Sequence, residues 1–174
     1  MDLELPKRIT CAGNRYFHQD DWEMPDTCIA FYDYGNKGIS WEGQSCAPRG
    51  FEGSGFGVLF YGDNGTMAIT ATKAVFQDHK NKVLREIDGK QTDLFQFDSL
   101  HFANFVEAIT DGKPLQAEIE EGQKSALMCH LGNIAWRSGK TVDFDPQTRR
   151  ICNPDPDIQQ FWGRAYREGW EPRI

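Results

Sequence analysis

The sequence has few positive charges, and it lacks any long apolar run. Lys and Arg total 19 against 26 Asp and Glu, which gives a formal net charge of −7. An acidic surface repels the phosphates of nucleic acids and the headgroups of anionic lipids. No segment approaches the roughly 20 consecutive apolar residues that a transmembrane helix needs. We therefore expect neither a nucleic acid nor a membrane as a partner.

Paired cysteine motifs and targeting signals are also missing. The five cysteines stand far apart in the sequence, and their number is odd. This spacing is typical of reduced thiols in an intracellular protein rather than of a disulfide framework. The first residues, "MDLELPKRIT", contain no apolar signal core and no twin arginine. The chain as it stands predicts a cytoplasmic protein, although a truncated chain would have lost any original targeting segment.

Large side chains are present in sufficient number to build one hydrophobic core. The sequence has 12 Phe, 5 Trp and 5 Tyr among its 174 residues, and aromatic rings bury large areas. The length predicts a single domain that comprises residues 1–174. The Pro- and Trp-rich segment 151–174 is expected to lie extended over the body of that domain.

The first half of the chain has the pattern of an antiparallel meander. The runs "TCIAFYDY" and "GISWEGQS" are short and strand-like, and Gly35–Gly38 separates them. "GVLFYG" and "GTMAITA" flank Asn64-Gly65, a pair that favours a tight hairpin turn because both residues tolerate positive φ. A third pair, "AVFQD" and "KVLREI", flanks residues 79–81.

Two helices are predicted after these strands. Phe102, Phe105, Val106 and Ile109 form one helical stripe, with Asp98 or Ser99 as the N-cap and Gly112 and Pro114 at the end. The second helix is predicted from about Glu118 to Ser138, with Gly139 as its terminator. A short strand, "TVDFD", follows it. Strands first and helices later predict an α+β fold, with a mainly antiparallel open-faced sheet and helices packed on one face.

Two glycine patterns resemble nucleotide-binding loops without matching them. "SGKT", residues 138–141, would need a glycine at position 134, which is Ile134. It also follows a helix, whereas a phosphate loop precedes one. The glycines of "GSGFG" do not fit a dinucleotide fingerprint, because the third is misplaced and a strand rather than a helix follows.

The densest polar cluster lies in "RYFHQDDWEMPDT". Carboxylates can bind pairs of hydroxyl groups and aromatic rings can stack on sugar faces, so Arg15, Tyr16, His18, Asp20 and Asp21 are candidates for contacting a carbohydrate. A solvated loop between two strands explains the same residues about equally well. A metal site at His18 and the aspartates lacks a recognisable ligand spacing. Hydrolase or lyase chemistry by His18, Asp20 and Asp21 is a weaker hypothesis.

The second predicted helix has a polar face. His130, Asn133 and Arg137 stand at positions i, i+3 and i+7, so they share one side of the helix. They could line a substrate pocket, and His130 and Asn133 are candidate substrate-binding residues. Satisfaction of these groups by backbone or by a neighbouring segment is the favoured alternative.

Several stretches together resemble the C-terminal domain of the Gfo/Idh/MocA family of bacterial oxidoreductases. They are "RYFHQDDWEMPDT", "ISWEGQS", "GSGFGVLFYGDNGTM", the segment 101–140 and "VDFDP", and the resemblance extends from about Leu5 to Tyr166. It implies an open-faced antiparallel sheet that assembles with a second copy. Complete members use NAD or NADP to oxidise or reduce a carbinol carbon of a sugar, cyclitol or similar polyol.

The chain departs from the complete family pattern in ways that limit this implication. It has no nucleotide fingerprint, and it lacks the Glu-Lys-Pro motif that contains the family's catalytic lysine. No catalytic, cofactor-binding or metal-binding residue can therefore be assigned. The resemblance does imply residues that contact the substrate, and it adds Arg49 and Glu52 in the "SCAPRGFEGSG" loop to the candidates.

Two hypotheses follow. In the first, the chain is the substrate-binding and oligomerisation domain of an NAD(P)-dependent oxidoreductase, inactive by itself, with NAD or NADP bound elsewhere in the complete enzyme. In the second, it is a stand-alone binding or scaffold protein that dimerises through its sheet. Either predicts a homo-oligomer, since an uncovered sheet face with aromatics would otherwise expose an apolar patch.

Overall fold

A computed structural model describes residues 3–47, 50–89, 94–152 and 155–171. They belong to two compact units, one built from residues 1–46 and 117–174 and the other from residues 47–116. Each unit contains an antiparallel sheet. The predicted α+β class is confirmed, with the strands divided between two sheets.

Nine strands and three helices lie in the described residues. In chain order they are β1 (Arg8–Asn14), β2 (Thr27–Asp33), β3 (Gly38–Gln44), β4 (Gly57–Gly62), β5 (Gly65–Thr70), β6 (Lys73–Gln77), β7 (Val83–Asp88), α1 (Leu94–Asp111), α2 (Ile119–Ser138), β8 (Val142–Asp145), β9 (Arg150–Ile151) and α3 (Pro156–Gln159).

The first unit packs α2 against a five-stranded sheet of order β3-β2-β1-β8-β9. Strand residues alternate between the two faces of a sheet, which places Ile9 and Tyr32 side by side on the helix-facing side. Leu131 and Ala135 of α2 are fully buried there. Val142 and Phe144 of β8 extend the same core, as do Ile151 and Ile158.

Helix α2 ends as its sequence predicts. Gly139 adopts a left-handed conformation with φ 65°, and its N–H donates to the carbonyl of Trp136. A left-handed residue stops helical propagation and favours glycine. The chain then turns directly into β8, which is the predicted "TVDFD" strand.

The second unit contains a four-stranded meander of order β4-β5-β6-β7. The strand pairs predicted around Asn64-Gly65 and around residues 79–81 are both hairpins, and a further hairpin at residues 71–72 joins them into one meander. The tight turn is shifted by one residue from the prediction. Asp63 and Asn64 form the loop, and Gly65 is the first residue of β5, paired with Gly62.

The identity of Gly65 has a packing reason rather than a turn reason. A Cβ atom added there would lie 2.0 Å from the carbonyl oxygen of Gln77 in the neighbouring strand. Its φ of 141° is also rare for residues with a side chain. Glycine at this position therefore permits the close approach of β5 and β6.

Helix α1 begins earlier than predicted. Asp98 and Ser99 lie inside it, one turn after Leu94, so neither can cap the unpaired amides of its first turn. Its C-terminus agrees with the prediction, since Gly112 follows with φ 66°. The apolar stripe at 102, 105, 106 and 109 is more than half exposed at each position within the described residues.

The tail of the chain is folded rather than simply extended. The side chain of Asp155 accepts a hydrogen bond from the N–H of Asp157 and caps α3. Lys140, just after α2, lies 2.8 Å from a carboxylate oxygen of each of these two residues. Beyond α3, Phe161 and Trp162 pack against the core of the first unit.

Two further findings concern membrane-spanning helices and disulfide bonds. None of the described helices is long and apolar enough to cross a membrane. All five cysteines are unpaired.

Candidate functional site

The polar loop between β1 and β2 is organised around Asp26. The carboxylate of Asp26 accepts backbone hydrogen bonds from Tyr16, Phe17 and His18 at 2.9–3.1 Å, and one from the Thr27 hydroxyl. The residue is 4% exposed. The His18 amide, followed by those of Phe17 and Tyr16, lowers the pKa of this carboxyl well below its usual range, because hydrogen bonds to a carboxylate stabilise its charged form.

Arg15 holds the other side of the loop together. Its guanidinium lies 2.6 Å from Oδ1 of Asp20 and also donates to the carbonyls of His18 and Met24. The same Asp20 oxygen accepts a hydrogen bond from the N–H of Trp22. Arg15 and Asp20 are therefore engaged in shaping the loop.

The loop displays three aromatic rings to solvent. Tyr16, Phe17 and Trp22 are 73%, 69% and 68% exposed. His18 stands edge-on to Phe17, with 5.1 Å between the ring centroids. Exposed rings on a loop held by internal hydrogen bonds suit stacking against a ligand, whereas single exposed aromatics are common on any surface.

A groove of about 580 Å³ lies between α2 and the tail of the same unit. His130, Asn133 and Arg137 line one wall, and Phe161, Arg164 and Tyr166 line the other. The polar face of α2 thus faces the folded tail. The volume of the groove is in the usual range for a small-molecule site, although the groove is open rather than enclosed.

Arg137 connects the groove with the polar loop. Its Nη2 atom donates to Oε2 of Glu23 at 3.2 Å, and its guanidinium lies 6.0 Å from the ring centroid of Phe161. The neighbouring Trp136 donates from its indole N–H to the carbonyl of Gly13 at 2.9 Å, immediately before the loop. Helix α2 therefore fixes the positions of both the loop and the groove.

The structure brings together some of the residues predicted from the sequence and leaves others apart. Arg15, Tyr16, His18, Asp20 and Asp21 share the loop, and His130 and Asn133 share the groove. Glu52 lies in a short 3₁₀ turn, Phe51–Gly53, of the other unit, and Arg49 lies outside the described residues. Whether any of them contacts a substrate stays a prediction.

The sequence reasoning missed the tail residues of the groove and the central role of Asp26. The run "QQFWGRAY" alternates aromatic rings with arginine and glycine, and this could have indicated a contact surface. Asp26 follows a proline and directly precedes β2, but its amide partners stand eight to ten residues earlier, outside the short-range patterns that a sequence indicates for aspartate.

The glycine-rich segment among the described residues does not have the form of a Rossmann dinucleotide loop. A pyrophosphate needs a glycine-rich turn that opens a helix, whereas the glycines at 53, 55 and 57 lead into β4. A Cβ atom added to Gly57 would meet the ring of Phe51 from the same loop, so this glycine serves internal packing. No group of three or more His, Cys, Asp or Glu side chains within the described residues is arranged to hold a metal ion.

Comparisons with known proteins identify the fold. No protein-family model matches the sequence, and no curated protein matches it. A proposed oxidoreductase from Thermotoga maritima matches 80% of this chain with a TM-score of 0.59 at 12% identity. One from Klebsiella pneumoniae matches 91% with a TM-score of 0.57 at 13% identity.

A third structure of the same fold is biliverdin reductase from Synechocystis sp. PCC 6803, solved with biliverdin and NADP+. It matches 76% of this chain with a TM-score of 0.54 at 17% identity. The matches cover 41%, 47% and 40% of these three proteins respectively. The chain therefore spans less than half of each of them, and the likeness establishes a shared fold.

Proposed function

We propose that this chain is the substrate-binding and oligomerisation domain of an NAD(P)-dependent oxidoreductase of the Gfo/Idh/MocA type. Its substrate is a sugar, a cyclitol or a related polyol. The observation that carries the proposal is the fold shared with part of several proposed oxidoreductases. The sequence stretches that resemble the family's C-terminal domain support the same assignment independently.

In this proposal the hydride chemistry and the recognition of the substrate lie in different domains. The described residues contain no Rossmann-type glycine loop, and NAD or NADP is proposed to bind to a separate nucleotide-binding domain, which supplies the hydride chemistry. The chain itself contributes recognition of the polyol. By itself it is not expected to turn over a substrate.

The groove and the neighbouring loop have the chemistry that polyol recognition requires. Imidazole and amide groups can each donate hydrogen bonds to hydroxyl groups and accept hydrogen bonds from them. His130 and Asn133 stand together on the α2 wall of the groove. Exposed aromatic rings provide flat apolar surfaces for the C–H faces of a sugar ring. Tyr16 and Trp22 of the loop and Tyr166 of the tail are all exposed.

Oligomerisation through the sheet has support in the exposure of β2. Ile29 and Phe31 are 55% and 46% exposed, and both lie on the face opposite to α2, because Ala30 and Tyr32, which alternate with them along the strand, are buried. A second copy of the chain that covers this face would remove the apolar side chains from water.

The test titrates the chain alone with two sets of ligands, nicotinamide dinucleotides and sugars, and measures binding by calorimetry. NADH and NADPH are expected to give no stoichiometric binding, whereas a panel of sugars, cyclitols and sugar acids is expected to contain at least one ligand that binds. Asn133→Leu should weaken that binding without changing the unfolding temperature. Stoichiometric binding of a nicotinamide dinucleotide, or a folded chain that binds no member of the panel, would contradict the proposal.

A further inference from the structure

We propose that the groove between α2 and the tail recognises a ligand that combines a hydroxylated ring with an oxyanion, a carboxylate or a phosphate. Arg137 is the principal anion-binding group and Arg164 assists it. This inference rests on the proposed function and narrows its substrate class from polyols in general to acidic sugars.

The charge of the groove differs from that of the chain. The chain has a formal net charge of −7, yet the charged side chains that line the described groove are those of Arg137 and Arg164. No Asp or Glu is among the described lining residues. Glu23 offsets part of the charge of Arg137 from outside the groove, and the remaining positive charge favours anions at that place.

The guanidinium of Arg137 is held in position, and some of its N–H donors remain available to a ligand. Its hydrogen bonds, to Glu23 and to the sulfur of Met24, all use Nη2. Within the described residues, Nε and Nη1 donate to no protein group. Two parallel N–H groups of a guanidinium can bind a carboxylate or phosphate in a bidentate manner, which is stronger than a single neutral hydrogen bond.

The ion pair with Glu23 does not prevent this role. Glu23 has a side chain that is 77% exposed, and an exposed ion pair contributes little to stability. Phe161 supports the guanidinium from another side, at 6.0 Å. An incoming oxyanion can therefore replace Glu23 or bind beside it while the ring keeps the arginine in place.

Arg164 repeats the arrangement on the opposite wall. Its guanidinium lies 5.4 Å from the ring centroid of Tyr166, and it forms no ion pair within the described part of the chain. Each of the two arginines thus lies over an aromatic ring of the tail. His130 and Asn133 stand beside Arg137 on α2, where they can read hydroxyl groups of the same ligand.

The experiment compares three ligands of similar size by calorimetry on the intact chain: glucuronate, glucose 6-phosphate and glucose. At least one of the two anions is expected to bind about tenfold or more tightly than glucose. Preference for glucuronate identifies a carboxylate ligand, and preference for glucose 6-phosphate identifies a phosphate. Affinity for the preferred anion should fall with rising salt concentration.

Variants separate the groove from general electrostatics. Arg137→Gln should lower the affinity for the preferred anion by about tenfold or more, and Glu23→Gln should raise it, because it removes the competing carboxylate. Arg85→Gln is the matched control, since Arg85 also lies over a phenyl ring, that of Phe76 at 5.9 Å, but outside the groove. It should leave the affinity unchanged.

The outcomes distinguish this inference from the proposed function. If glucose binds as tightly as both anions, or if Arg137→Gln does not change anion binding, the anion site is refuted while a polyol-binding domain remains. Equal losses in Arg137→Gln and Arg85→Gln also refute it, because they indicate nonspecific attraction. If none of the three ligands binds but a neutral cyclitol does, the inference fails and the proposed function stands.

Discussion

The hydroxyl of Tyr32 lies against the backbone of Gly132, so closely that a Cβ atom added to this glycine would stand 2.5 Å from the hydroxyl oxygen. The same hydroxyl donates to the carbonyl of Met128 at 3.2 Å. Tyr32 is 6% exposed, so its ring cannot swing aside. This contact sets how closely α2 approaches β2 and therefore where the polar face of the helix stands.

Gly132→Ala is expected to destabilise the fold by about 1–3 kcal/mol, because overpacking in a buried contact outweighs the gain in helix propensity. Gly122→Ala in the same helix is the matched control, since an added Cβ meets nothing within 4 Å there. The control should be neutral or stabilise by up to about 1 kcal/mol. Denaturant unfolding measures both, and equal stabilisation would show that Tyr32 does not restrict the helix.

Asp26→Asn is expected to lower the unfolding temperature by about 5 °C, because an amide offers one acceptor oxygen where the carboxylate serves four donors. Asp21→Asn is the control in the same loop, since Asp21 makes no hydrogen bond within the described residues. A nuclear magnetic resonance spectrum should show shifted amides for residues 16–18 in the first variant. Unchanged stability in Asp26→Asn would mean that the loop is organised otherwise.

Acid should erase the difference between wild type and Asp26→Asn. The folded-state pKa of Asp26 is lowered, so the ionised carboxylate stabilises the fold fully above its unfolded value of about 3.9. That contribution is lost as the pH falls through the folded-state pKa. Thermal unfolding of both proteins from neutral to strongly acidic pH measures the effect, and a constant difference would contradict it.

Lys140→Ala should loosen the tail that forms one wall of the groove. Removing its contacts with Asp155 and Asp157 is expected to raise the hydrogen-exchange rate of amides 158–162 about three- to tenfold, since exposed ion pairs have modest energies. Lys124→Ala is the matched control, because Lys124 also contacts two carboxylates, those of Glu4 and Glu121. Equal exchange rates in both variants would mean that Lys140 does not secure the tail.

Phe31→Glu should shift the proposed dimer towards monomer. A charge on the exposed face of β2 would have to be buried without a partner in an assembly through that face. Ile119→Glu is the control, because Ile119 is 81% exposed and stands at the start of α2, where an acidic group is favourable. Light scattering at micromolar concentration gives the masses, and a wild-type monomer would refute this interface.

The sequence predicted the elements well where the information is local. Alternation and turn residues located β4 to β7, and Gly139 located the end of α2, because these features depend on neighbours in the chain. The turn at Asn64 and Gly65 was misplaced by one residue because Gly65 is required by its distance to Gln77, twelve positions later. Capping of α1 was misplaced because Asp98 and Ser99 can also occupy a helix interior.

The candidate site shows the same division. The helical spacing of His130, Asn133 and Arg137 was sufficient to place them on one face of α2. It could not show that this face meets Phe161, Arg164 and Tyr166, because the contact joins segments about 30 residues apart. The sequence also could not show that the side chains of Arg15 and Asp20 form an ion pair within the loop between β1 and β2.

The amino-acid sequence by itself determined the α+β class, most of the strands, the ends of α2 and the acidic balance of the chain, since periodicity, glycine and charge act locally or sum over composition. Only the tertiary structure decided which polar groups remain available for a ligand. That depends on hydrogen bonds within the loop between β1 and β2, which occupy Asp26 and Arg15, and on the packing of the tail beside α2, which leaves donors of Arg137 facing a groove.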